Sequence, residues 1–237
     1  MTDLLRQEIA ATATTIVVKV GTRVLSHDDG TLNEQRIAQL AEELNAIIEA
    51  GRRVVLVSSG AVGAGMSQLG LRDRPTGLAR LQAVAAIGQT NLIEMYDRTF
   101  RLHGRRAAQV LLTAEDLEDR SRYLNVRNTL LTLLEFNAIP IINENDTVAT
   151  AEIRFGDNDR LSARLAQMMS ADCLVLLSDI DGLYEADPRL DPNAAFVPEV
   201  RDLSPGIEAM AGEPRSGTGG LLHKLAAAPV PPPAPVA

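Results

Sequence analysis

From Thr15 onward the chain alternates short apolar runs with longer stretches of helical spacing. Ile16-Val-Val-Lys-Val20 is β-rich and stops at Gly21. Asn33 to Ala50 places Ile37, Leu40, Ala41, Leu44, Ile47 and Ile48 on one helical stripe that ends at Gly51. Val54 to Val57 predicts a second strand, closed by Ser58-Ser59-Gly60, and a long helical region extends through Leu78 to Leu102, with a break expected near Gly88. Ala107–Leu112, Ile139–Ile142 and Leu174–Leu177 predict three more strands; Arg122–Phe136 and Arg160–Met169 predict helices between them. Ala151–Phe155 reads as part of a hairpin. Strand–helix alternation of this kind predicts an α/β fold, a three-layer αβα sandwich with a mostly parallel central sheet.

Composition agrees. Of 237 residues, 46 % are hydrophobic but only 3 % aromatic, with no Trp, so the core must be Val, Ile, Leu and Ala, as in parallel strands covered by helices. A net charge of -8 and the lack of a long basic cluster argue against a nucleic-acid partner. The first fourteen residues are charged, with no apolar segment of a secretory leader, and read as an N-terminal tail, 1–14. No apolar run approaches the roughly 20 residues of a membrane span. The expectation is a cytoplasmic protein with no membrane partner. Cys173, the single cysteine, lies in an apolar strand and reads as a buried inert thiol.

The densest chemistry runs from Asn143 to Asp159, where three Asn and five Asp or Glu flank a short extended segment. Turns need one or two such residues; this many at a strand exit suits a site for a charged small molecule beside a metal-bound polyphosphate. In an open parallel sheet ligands bind beyond the carboxyl ends of the strands, and four polar clusters lie there: Lys19-Val-Gly-Thr22, Ser58 to Gly65, Asn143 to Asp146, and Ser178-Asp179. Ser-Ser-Gly-x-x-Gly-x-Gly offers backbone N–H groups and a helix start to an anion, though a tight turn explains the glycines equally well. Lys19, followed by the side-chain-free Gly21, and Lys224, preceded by Gly217-Thr218-Gly219-Gly220, together suggest a clamp on a polyanion; alone, Lys19 reads rather as a solvated strand-tip lysine and the second loop equally as a linker. Acidic groups suit a hard cation such as Mg²⁺ carried by a nucleotide. His27, His103 and His223 lack metal-ligand spacing, and no metal site is expected from them.

These motifs resemble the amino acid kinase family, and within it the glutamate 5-kinases. The likeness rests on Val18-Lys-Val-Gly-Thr22, Val57-Ser-Ser-Gly-Ala61, Asp119 to Arg127, Ile142-Asn-Glu-Asn-Asp146, Gly156-Asp-Asn-Asp-Arg-Leu-Ser-Ala163, Asp181 to Pro188 and Gly217-Thr-Gly-Gly220, and covers about Thr15 to Leu225. The resemblance implies ATP-dependent phosphorylation of the side-chain carboxylate of L-glutamate, opening proline biosynthesis, with Mg²⁺ accompanying ATP. It implies Lys19, Lys224 and Asp159 as catalytic, Asp159 orienting the two lysines. Ser59, Asp146, Asn158 and Asn143 would hold glutamate. Lys19, Gly21, Ser178, Asp179, Thr218, Gly219, Gly220 and Lys224 would hold ATP. The helical region around Gln82 to Gln89 resembles the dimerising part of the family fold, implying a homo-oligomer, a dimer or a tetramer.

One motif departs from the pattern. The family's Gly-Thr-Gly-Gly-Met-x-Thr-Lys here reads Gly-Thr-Gly-Gly-Leu-Leu-His-Lys, with Leu221 and His223 in place of Met and Thr. Beyond it comes a Pro/Ala-rich stretch, 226–237, with five prolines in the last nine residues, expected to be an extended tail. The expected organisation is a kinase domain, 15–225, with the C-terminal part of the fold missing through a truncation or a frameshift near Gly220. The alternative function is a weakly active or inactive remnant that binds glutamate or oligomerises without turnover. Acetylglutamate or aspartate kinases are a third reading, which the Asn143 to Asp159 block argues against.

Overall fold

The computed structural model of the chain describes residues 2–27, 29–149, 158–180, 182–186 and 188–200. At its centre is a five-stranded, all-parallel sheet in the order β3-β4-β2-β1-β5, built from β1 (Thr15–Val20), β2 (Arg53–Ser58), β3 (Arg106–Leu112), β4 (Ala138–Glu144) and β5 (Cys173–Leu177). Strand side chains alternate between the two faces, and each face has its own core. Ile16, Val18, Val20, Val54, Leu56, Ile139 and Ile141 pack against α3 (Glu34–Glu49) and α5 (Leu78–Arg101). Val17, Val55, Val57, Leu112 and Ile142 pack against α7 (Arg120–Glu135) and α8 (Asn158–Met168). The three-layer α/β sandwich expected from the alternation is therefore present. Val54 to Leu56, Ile141 and Ile142 are at most 1 % exposed, which is why these strands read as continuous apolar runs.

Two local expectations, the helix break at Gly88 and the full burial of Cys173, need correction. The long helix is not broken at Gly88: α5 runs continuously to Arg101, and Gly88 faces α4 (Ala61–Gln68). A Cβ at Gly88 would overlap the Ala61 carbonyl and the Gly65 amide, and one at Gly65 would overlap the Val84 carbonyl. The glycines are there for close helix packing. Segment 1–14 carries a helix, α1 (Thr2–Thr12); Leu, Arg, Gln, Glu and Ala are good helix formers even without a buried stripe, and Leu4 and Ile9 stay exposed. Cys173 is only half-buried. Burial, then the neighbouring Asp172 charge, pushes its thiol pKa up, so an unreactive thiol still follows.

Short elements complete the frame: α2 (Thr22–Leu25), α6 (Ala114–Glu118) and an antiparallel pair, β6 (Leu183–Tyr184) with β7 (Phe196–Val197). The pair is held by an edge-to-face contact of Tyr184 and Phe196, ring centroids 5.4 Å apart. The hairpin expected at Ala151–Phe155 and the tail 226–237 lie outside the described residues.

Candidate active site

Register brings the polar clusters to one level. Val20 pairs with Ser58 and Leu177, and Val57 with Ile142, so Ser58, Asn143 and Ser178 stand at the same edge. Lys19 shares a parity with Val17 and points to the α8 side. There its Nζ meets Asp159 Oδ1 at 2.6 Å, with both side chains almost wholly out of water. A buried ion pair is held in place because separating it would leave a charge uncompensated, at a cost of about 3–5 kcal/mol. Gly21 follows: a Cβ there would come within 3.7 Å of Lys19 Nζ, so its absence keeps space open beside the ammonium.

Asn158 precedes Asp159 in the first turn of α8. Its Nδ2 donates to Ser59 Oγ at 2.9 Å and to Asn143 Oδ1 at 2.9 Å, with the Ser58 carbonyl at 3.4 Å. Asn143 is buried and in turn donates from Nδ2 to Gln89 Oε1 of α5 at 2.9 Å, while its Oδ1 accepts the Glu144 N–H at 2.9 Å. The β2 exit is fixed from the same helix: the fully buried Tyr96 hydroxyl lies 3.0 Å from Ser58 Oγ. Burial pushes the Tyr96 pKa far up, Ser58 opposing it, so the phenol stays neutral. Gly60, at φ 110°, turns the chain into α4 in a conformation that favours glycine. Asp146 is half-buried in the turn after β4, on the wall of a cavity of about 220 Å³ that Gln89 and Glu144 also line.

At the β5 end, Ser178 Oγ donates to Asp179 Oδ1 at 3.3 Å, and Arg23 and Arg189 reach Asp179 Oδ2 at 3.0 and 3.1 Å. Burial works to raise the Asp179 pKa, but the Arg23 hydrogen bond and the two guanidinium charges win and hold it low. Asp179 thus stays ionised and fastens the segment carrying Arg189 to the strand exits.

Of the residues singled out in the sequence, Lys19, Ser59, Asn143, Asn158 and Asp159 are drawn into one connected group, with Gly21 and Asp146 beside it. Ser178 and Asp179 sit at the neighbouring strand exit. Thr218, Gly219, Gly220 and Lys224 lie outside the described residues. Sequence reasoning missed Gln89, Tyr96, Arg23 and Arg189. The first two had a faint signal: with Ala85 and Leu92 they fall on the buried stripe of α5, where a polar residue needs a partner. Among the described residues no group of three or more His, Cys, Asp or Glu stands together as a metal cage.

A family profile, described as the amino acid kinase family, matches residues 14–229. The chain belongs to the amino acid kinase family. Among curated proteins it is similar to the glutamate 5-kinase of Paramagnetospirillum magneticum, 54 % identical over 221 residues, covering 92 % of this chain and 60 % of the relative. It is likewise similar to the glutamate 5-kinases of Cupriavidus metallidurans, 51 % identical over 224 residues (94 % of this chain, 60 % of the relative), and Bordetella petrii, 47 % identical over 228 (95 % and 60 %). The chain spans about 60 % of the length of these relatives. Among the described residues no helix is long and apolar enough to cross a membrane.

Proposed function

We propose that this chain performs the glutamate 5-kinase reaction: transfer of the γ-phosphoryl group of ATP to the side-chain carboxylate of L-glutamate, giving glutamyl 5-phosphate and ADP at the start of proline biosynthesis in the cytoplasm. The observation that carries the reading is the adjacency of Asn158 and Asp159. One helical turn joins an amide–hydroxyl group suited to an amino acid with a buried lysine suited to a phosphate.

The chemistry fits this inventory. A carboxylate is already ionised at neutral pH, so no general base is required. One carboxylate oxygen forms a bond to the γ-phosphorus while the bond from that phosphorus to the β,γ-bridging oxygen breaks, and ADP leaves with the electron pair. The obstacle is the approach of one anion to another, which fixed positive charge relieves. Lys19, aimed by Asp159, lies on the transferring group or the departing β-phosphate; Lys224 supplies a second charge, and the Gly21 and Gly60 amides add donors. Asp146 takes the substrate ammonium; Ser59, Asn158 and Asn143 form the carboxylate side of the pocket. Ser178, Asp179 and Thr218 to Gly220 bound the nucleotide. Mg²⁺ brought in with the nucleotide would supply further positive charge against the approaching carboxylate. The working form is a homo-oligomer.

The test is glutamate-dependent ADP formation by the purified chain beside Lys19→Ala. Removing one preorganised charge from a phosphoryl-transfer site should lower kcat by about hundredfold or more. Equal rates in the two proteins would reject the proposal. Glutamate binding without turnover in either would favour the inactive-remnant reading, and the Leu221 and His223 departures within the phosphate motif give that reading its motive.

A further inference from the structure

The amides around Asn143 can be oriented without ambiguity. The Glu144 backbone N–H points at one end of the Asn143 side chain at 2.9 Å, and a backbone N–H can only donate. That end is therefore oxygen. The other end, Nδ2, must be a donor, so the atom of Gln89 facing it is its carbonyl oxygen. The Asn143 oxygen also accepts from Asn158 Nδ2, and the same Nδ2 donates to Ser59 Oγ. Each link commits the next. At the far end Ser59 Oγ acts as acceptor, leaving its hydroxyl proton for a further acceptor, and no described residue takes it.

Gln89 carries a penalty for its part. It is 7 % exposed and its Nε2 is buried without a hydrogen-bond partner among the described residues. Turning the amide over would set two NH₂ groups against each other, so the penalty is the cost of keeping an acceptor in front of Asn143. A leucine here would suit the α5 stripe of Ala85, Leu92 and Tyr96 better.

We propose that Gln89 is a positioning residue for amino-acid binding. It anchors a polarised chain, Gln89–Asn143–Asn158–Ser59, whose last member presents an O–H to a substrate carboxylate. This rests on the glutamate-binding reading given above. Gln89 acts through Asn143, and replacing it should weaken glutamate binding with little effect on folding.

The experiment is calorimetric titration of the full chain with L-glutamate, for wild type, Gln89→Met and Gln89→Leu, with a thermal melt of each and nitrogen-15 spectra of the Asn side-chain amides. Losing one ordered hydrogen bond of the relay should raise the glutamate Kd about tenfold. The melts should stay close to wild type, and the Asn143 and Asn158 amide signals should shift without ligand. Wild-type Kd in both variants, unmoved amide signals, or loss of the fold in both overturns the role of Gln89. A wild type that fails to bind glutamate overturns the glutamate reading as well, which separates the two failures.

Discussion

Asp172 shows how much one side chain can do at the rim of the sheet. It sits just before β5, and its Oδ2 accepts the N–H groups of Thr14 and Thr15 at 2.9 Å each and the Thr14 hydroxyl at 2.7 Å. One carboxylate thus ties the entry of β1 to the entry of its neighbour. The Thr15 and Thr14 donors hold its pKa down to about 2. A carboxylate depressed in the folded state stabilises above its unfolded pKa of roughly 4, and that stabilisation drains away as pH falls through the folded value. Asp172→Ala should therefore melt below wild type at pH 7. The gap should hold down to about pH 4, narrow between pH 4 and 2, and vanish below, as followed by thermal unfolding across that range. A gap constant over the whole range would mean that the carboxylate charge is not what ties the strands.

At the scale of elements, the Gly65–Gly88 crossing sets the position of α4, and α4 sets the loop carrying Ser59 and Gly60. Gly88→Ala would drive a methyl group into the Ala61 carbonyl. The helices must part, and stability should fall by about 3 kcal/mol, measured by urea unfolding. Weaker glutamate affinity should accompany the loss, because Ser59 moves with α4. The same glycine explains why the element pattern was only partly legible. As a local signal Gly88 weakens a helix, and nothing nearby in sequence announces that α4 needs it bare. The strands were easily read because both faces of Val54 to Val57 are buried, leaving an unbroken apolar run. The β6–β7 pair, two residues per strand, is too short to show a period. Among the candidate site residues, the density of short polar side chains from Asn143 to Asp159 was legible from the residues themselves. Lys19 and Ser59 alone read as a solvated strand tip and a tight turn, and the individual roles of Lys19, Ser59, Asn143, Asn158 and Asp159 came from the family resemblance. Gln89 and Tyr96 did not stand out, since a glutamine or tyrosine within a helix also reads as an ordinary surface or core residue.

The whole molecule carries a net charge of -8, and its proposed substrates are also anions. Its overall field opposes them, so attraction has to be local and shielded from salt, as with a lysine almost wholly removed from water beside Gly21. Binding should then register as stability of the whole fold. L-glutamate at a hundred times its Kd should add about 2.7 kcal/mol, a rise of about 5–10 °C in Tm for a domain of this size. Asp146→Asn, which removes the proposed ammonium partner, should abolish that rise; an unchanged shift in that variant would take Asp146 out of the pocket. Gln89 belongs to the helical layer on one face of the sheet and Asn158 to the layer on the other, with Asn143 of β4 between them. The hydrogen-bonded chain is a tie-bar across the end of the sandwich. The place where the two layers are linked is thus also the place proposed to receive the substrate.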